Sequence, residues 1–259
     1  MTTTRLPLFP LNTVLFPGLV LPLNVFEARY RALLRDLLDL PEGEPRPFGV
    51  IAIREGHEVA PRGLGLPDGP PADPDPAAGF GADPMRSFHQ VGCVADASTI
   101  RPRPVPGEAA EAGERDGTAT GYEVLATGTS RFRLLSVDAS GPYLVGEVEP
   151  LEERPGEGAG ALASGVLLAF RRYQKALAGA NERTLGPAQD LPDDPSVVSY
   201  LVAAATVLHT SDKQRLLQAP DTASRLADEL RLLRQEVALI SKLPSVPGAE
   251  YTIRPTSLN

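Results

Sequence analysis

The chain has 259 residues, with 25 Lys and Arg against 33 Asp and Glu for a formal net charge of -8, and it contains one cysteine, 24 glycines and 27 prolines. A chain of this length buries roughly 70–75% of its unfolded surface in one large or two modest domains, and a single cysteine excludes an intramolecular disulfide and a multi-cysteine zinc site. The acidic balance disfavours phosphate backbones and anionic lipid surfaces as partners, the most apolar stretch, Val14 to Val25, is short and broken by Pro17, Gly18 and Pro22, and the cytoplasm is the expected compartment.

The segment Leu6 to Leu38 opens with short apolar runs separated by Pro7, Pro10, Pro17-Gly18 and Pro22, lengths that suit strands and not helices. From Phe26 the period changes. Phe26, Tyr30, Leu33, Leu34, Leu37 and Leu38 recur at spacings of three and four, with Glu27, Arg29, Arg31, Arg35 and Asp36 between them, which predicts an amphipathic helix capped by Asn24 with Glu27 reaching back. Phe48 to Ile53 (FGVIAI) reads as a buried strand. The stretch 61–87, rich in Pro, Gly and Asp, is expected to be a loose insertion that Leu64 and Leu66 pin at most, and 103–119 a second one. Between them, Phe88 to Ala95 continues as strand toward Ile100.

Next come GYEVLAT (121–127), SRFRLLSV (130–137) and YLVGEVE (143–149), separated by Gly128-Thr129 and by residues 138–142, and expected as three strands of an antiparallel meander. Phe132 and Leu134 then share a core face, while Arg131 and Arg133 share a solvated one. After Arg154 to Gly160 the period is helical. Leu162, Val166, Phe170, Tyr173 and Leu177 form one stripe, and Asp194-Pro195 opens a helix carrying Val197, Val198, Leu201, Val202, Ala205 and Leu208. Ser211 with Gln214 has the capping-box pattern, and Asp221 precedes a helix whose Leu226, Leu230, Leu233, Val237 and Ile240 form a short inner seam. The expectation is an α+β chain: a β-rich subdomain over 1–153, about four helices over 154–243, and a tail over 244–259 in which Tyr251 and Ile253 are placed to dock.

Signatures of chemistry are missing. No G-x-x-x-x-G-K-[ST], no G-x-G-x-x-G between a strand and a helix, and no G-x-S-x-G occurs. His57, His89 and His209 are the only histidines, and His57-Glu58 lacks the second histidine of a zinc hydrolase. Cys93, in VGCVA, has the setting of a small buried hydrophobe and not of a nucleophile. Arg131 and Arg133 with Arg101 and Arg103 could line a basic strip, but the aromatics that RNA recognition needs between them are absent, so a solvated sheet face is the simpler reading. No catalytic residue, cofactor or metal site is expected.

Several blocks resemble the N-terminal, substrate-binding domain of the Lon ATP-dependent protease family. They are LPLFPLNTVLFPGLVLPLNVFEARYRALL with its Phe26, Glu27, Arg29 and Tyr30, VGCVADASTI, GYEVLATGTSRFRLLSV with Gly128 and Arg131-Phe132, YLVGEVEPLEE, and KQRLLQAPDTASRLADELRLL (213–233), together spanning most of residues 6–240. The resemblance implies a PUA-like β pseudo-barrel followed by a helical bundle, and a part in recognising protein substrates. The family's ATPase and Ser-Lys peptidase chemistry is expected to be absent, because these 259 residues hold neither motif. The expected function is therefore a non-catalytic module binding polypeptide substrates or a partner protein, a Lon-type protease among the possible partners. Arg29, Tyr30 and Arg131 are the candidate polypeptide-binding residues, against a competing role in holding the fold. Two alternatives are an RNA-binding PUA-like protein, opposed by the acidic charge, and an enzyme using the barrel cleft.

Overall fold

The computed structural model describes residues 3–54, 75–81, 83–104, 120–180 and 192–242. The chain divides into two compact units, Met1–Leu151 and Glu152–Asn259.

The first unit holds β1 (Thr4–Leu11), β2 (Val20–Val25), α1 (Ala28–Leu38), β3 (Pro47–Ala52), α2 (Pro84–Ser87), β4 (Val91–Pro104), β5 (Thr120–Asp138) and β6 (Val145–Leu151). The strands run in the order β2-β5-β4-β3-β1-β6, and β6 returns to pair with β5, so the sheet closes into a barrel with β2 as an appended edge. Among the described residues β1 and β3 pair in parallel and the other strand pairs are antiparallel. The 19-residue β5 makes closure possible, because its first half takes β2 (Val20↔Thr127 to Val25↔Tyr122) and its second half takes β6. Register shifts at Val94/Ala95, Ala97/Thr99 and Leu134/Ser136 supply the local bending that a small closed sheet needs.

Strands β1 and β3 are buried on both faces, which is why FGVIAI lacks alternation. Leu6, Leu8, Ile51, Phe132, Leu134 and Val148 fill the barrel interior. On the other face Phe9, Phe48, Val50, Cys93, Ala95, Val124 and Ala126 meet Tyr30, Leu33, Leu34 and Leu37 of α1, and the small side chains at 93, 95 and 126 let the helix lie close. Each of those three helix leucines contributes about 2 kcal/mol by burial.

Several local expectations change. Asn24 does not cap α1, since the β2–β5 ladder runs on to Val25↔Tyr122 and holds Asn24 extended; Glu27 occupies the capping position without a side-chain bond, and Phe26 stays outside the helix and exposed. The meander's first two strands are one continuous β5. At the expected turn, pairing jumps from Val94↔Ser130 to Ala95↔Gly128, and Thr129, the extra residue, donates from its hydroxyl to Val94 O at 3.2 Å. Gly128 serves close approach instead of a turn. A Cβ there would lie 2.5 Å from Phe16 O and 3.0 Å from Cys93 Sγ, because the loop before β2 is bonded to both its polar groups: Gly18 N to Gly128 O and Gly128 N to Leu19 O, each 2.8 Å.

Arg131 is buried while Arg133 stays exposed, so the two do not share a solvated face. Within 61–87, residues 75–81 and 84–87 are packed and not loose: Phe80 is buried with its ring 4.8 Å from Phe88, Ser87 donates to Phe80 O, and Pro84–Ser87 is helical. Arg103 and Pro104 belong to β4. Leu64, Leu66, His57, Tyr251 and Ile253 lie outside the described residues.

The second unit is a bundle of α3 (Ala159–Ala180), α4 (Pro195–Ala205), α5 (Thr210–Leu217) and α6 (Thr222–Lys242). Asp194 caps α4, accepting from Ser196 N and Val197 N at 2.8 and 3.1 Å with Pro195 at the first position, and Asp221 caps α6 through Ser224 N at 2.7 Å. The box expected from Ser211 and Gln214 does not form, since His209, two residues earlier, takes the capping position and Gln214 is buried. Leu226, Leu233 and Ile240 of α6 pack with Val166, Phe170 and Tyr173 of α3. Val197 faces solvent, while Val198 and Val202 carry the core face of α4. Fully buried Arg225 ties the elements together: Nε donates to Leu216 O, Nη1 to Ser199 Oγ and Nη2 to Glu153 Oε1, and its guanidinium lies 4.0 Å from the Tyr200 ring centre. Glu153 is also bonded by the Tyr200 and Thr222 hydroxyls.

Candidate polypeptide-binding surface

Arg29, Tyr30 and Arg131 are all buried. Arg29, in the first turn of α1, pairs with Glu27 Oε2 at 3.0 Å and donates to Pro76 O and Ala78 O at 3.2 and 2.8 Å, while its guanidinium lies 4.7 Å from the Tyr30 ring centre and 5.1 Å from that of Phe80. It thus fastens residues 75–81 onto the helix. Tyr30 stacks on Phe9 at 4.2 Å, and Arg131 lies opposite Cys93 of β4 and Leu151 of β6. These are the positions of scaffold residues, with little surface to offer a ligand.

Among the described residues of this unit, five large apolar side chains are exposed; Leu38 and Leu135 lie apart, and Val20, Phe26 and Leu125 lie on or beside the appended wing of the barrel. Along β2, burial alternates between the Leu21, Leu23 and Val25 side and the exposed Val20, Pro22 and Asn24 side. Pairing places Val20 opposite Thr127 and Pro22 opposite Leu125, so Val20, Pro22 and Leu125 share the outer face, with Val20 57% and Leu125 43% exposed. Phe26, just past the strand, is 44% exposed. On β4 the same face carries Thr99 opposite Leu125 and Arg101 opposite Glu123, and Arg103 donates to Asn24 Oδ1 at 3.3 Å. The result is an apolar strip bordered by two arginines.

The strand edge is also available, with one exception. Among the described residues β2 has β5 as its only strand neighbour. Pro22 has no N–H to exchange with Leu125, so the ladder bonds run through Leu21 and Leu23, and the backbone groups of Val20, Pro22 and Asn24 face outward with a donor missing at the centre. Sequence reasoning passed over these residues because Val20 was read as part of an apolar run, Pro22 as a break in it, and Leu125 only as part of the strand GYEVLAT. The signal was the two-residue alternation in VLPLNV.

Burial pushes the Cys93 thiol up to about 12, away from thiolate chemistry. Burial and the neighbouring Arg54 lower the pKa of His89, and burial lowers that of Lys213, whose ammonium donates to Ala204 O at 3.3 Å. Among the described residues no group of three His, Cys, Asp or Glu side chains could hold a metal ion, and no helix is long and apolar enough to cross a membrane.

Residues 5–235 match the family of the ATP-dependent protease La (LON) substrate-binding domain. The chain is 27% identical over 225 residues to Lon protease 2 of Syntrophobacter fumaroxidans, a match that takes in 86% of this chain and 23% of the relative's length. Among solved structures, the Lon N-terminal domain protein from Xanthomonas campestris is 25% identical with a TM-score of 0.49, covering 88% of this chain and 98% of that one. The N-terminal domain of Mycobacterium avium complex Lon protease is 18% identical with a TM-score of 0.51, covering 91% of this chain and 98% of that one, a likeness of fold.

Proposed function

The chain belongs to the ATP-dependent protease La (LON) substrate-binding domain family, and from that membership we propose that it is a non-catalytic receiver of polypeptides, holding exposed apolar segments of unfolded or partner proteins. The observation that carries the reading is the outward strip of Val20, Pro22 and Leu125. A folded protein keeps such side chains in water at a cost, and an unfolded segment supplies the complementary apolar surface. The two bordering arginines keep the strip soluble and tolerate polar residues in the segment. Nothing in the surface selects a particular sequence, which suits a receiver of many clients. A Lon-type protease is a fitting recipient of what is held.

Titration of the full chain with a reduced, carboxymethylated and fluorescently labelled protein tests this. Saturable binding is expected, and Val20→Ser with Leu125→Ser together should weaken it at least about tenfold, because each loses about 1 kcal/mol of apolar contact. Absence of saturable binding, or equal affinity in the double variant, would refute the reading. A gel shift with RNA at low salt that vanishes as salt rises would replace it with phosphate recognition.

A further inference from the structure

The outer side of α3 carries a cluster that the bundle itself does not employ. Ala163, Val166, Phe170 and Tyr173 mark the buried side of that helix. At about 100° per residue, Leu168, Arg171, Arg172 and Lys175 all point within about 60° of the opposite direction. All four are exposed, Leu168 at 53%.

The charges on this face are unbalanced. The 22 residues of α3 include Arg171, Arg172 and Lys175 and no acidic residue, in a chain whose net charge is -8. Arg171 and Lys175 are like charges four apart, and Arg172 and Lys175 three apart, both spacings at which repulsion opposes the helix. Among the described residues none of the three takes part in an ion pair. The helix dipole does not explain them either. It acts within the last turn, and the last turn of α3 has no basic residue.

We propose that this face of α3 docks an acidic, amphipathic polypeptide segment, whose apolar side chain covers Leu168 and whose carboxylates pair with Arg171, Arg172 and Lys175. Charge complementarity selects the acidic partner. The leucine among the cations selects a polypeptide over a nucleic acid, since a phosphate backbone would leave Leu168 in water while a peptide supplies both kinds of contact. From Leu168 to Lys175 the strip rises about 10 Å, which matches two turns of a partner helix. The site is separate in its residues from the β2 strip.

Fluorescence anisotropy on the full chain provides the test, with a labelled peptide of Leu and Glu spaced three and four apart and its Lys-for-Glu counterpart as probes. The Glu peptide should bind saturably and the Lys peptide should not. The combined variant Arg171→Ala, Arg172→Ala, Lys175→Ala should weaken the Glu peptide by about tenfold or more at low ionic strength, and added salt should erode the wild-type affinity toward that of the variant. Leu168→Ser should weaken it about threefold, and Val20→Ser with Leu125→Ser should leave it unchanged, which separates this site from the proposed receiving strip. All variants are at exposed positions, and circular dichroism checks that helicity is retained. Equal affinity in the triple variant, or no binding of the Glu peptide, overturns the proposal. So does an RNA oligomer that binds more tightly than the peptide and is lost in the triple variant, or a wild-type dimer that the triple variant dissociates.

Discussion

Replacing Glu229 by glutamine should stabilise the helical unit at neutral pH and leave its stability nearly unchanged near pH 4. Glu229 is buried on α6, and among the described residues neither carboxyl oxygen has a hydrogen-bond partner. Arg225, one turn earlier, spends Nε, Nη1 and Nη2 on Leu216 O, Ser199 Oγ and Glu153 Oε1. Burial therefore raises the Glu229 pKa well above the ordinary carboxylate value, Asp228 pushes in the same direction, and the attraction of Arg225 does not offset them. The folded state keeps a proton that the unfolded chain releases near 4.5, so stability falls by about 1.4 kcal/mol for each pH unit above that value until the folded group itself ionises. At pH 7 the cost is capped at roughly 3.5 kcal/mol, the distance from 4.5 to 7 converted at 1.4 per unit. Glutamine keeps the shape and stays neutral, so it removes this pH-dependent cost. Urea unfolding of both proteins across pH 4 to 8 measures the difference. A gap that does not widen with pH, or a glutamine variant less stable than wild type at pH 7, would mean that Glu229 is ionised and held by Arg225, and the reasoning would fail.

Three further outcomes follow from the geometry. Gly128→Ala should cost about 1–3 kcal/mol in urea unfolding, because its Cβ would meet Phe16 O at 2.5 Å, a backbone atom that cannot turn aside. Pro22→Val should restore the missing outward donor of the β2 edge, and light scattering should then show stronger concentration-dependent association than wild type shows. Arg225→Met should destabilise the helical unit by about 3–5 kcal/mol, since it strands Glu153 and Ser199 while keeping the volume; a loss below 1 kcal/mol would show that the network is not a structural tie.

The parts of the fold that were legible in the sequence are those set by local chemistry. Asp194-Pro195 and Asp221 announced helix starts because their carboxylates bond amides two or three residues on, and the α3 and α6 stripes were visible because one face of each is buried along its length. Features that depend on distant partners were not legible. Gly128-Thr129 has the composition of a turn, yet the loop before β2 and the pairing with β4 keep it inside a strand. Asn24 has the chemistry of a cap, yet the β2–β5 ladder reaches it first. Phe80 and Ser87 sit in a stretch whose composition reads as loose, and what packs them is Phe88, Arg29 and the barrel interior.

The same physics explains why the most recognisable residues were poor guides to the surface. Phe26, Glu27, Arg29 and Tyr30 belong to the opening stretch that carries the family resemblance, and three of the four are committed internally: Glu27 to Arg29, Arg29 to the carbonyls of Pro76 and Ala78, Tyr30 to Phe9. A buried arginine with several simultaneous partners is costly to replace one-for-one, because no other side chain offers five donors in one plane. It therefore serves the fold whatever the protein binds. Val20, Leu125 and Leu168 face water, and a contact made mainly by apolar area accepts many side chains at each position. In the receiver role proposed above, residue type is thus least specific where the polypeptide would sit, and candidate contact positions emerge only once strand register and helix phase show which apolar side chains the fold leaves outside.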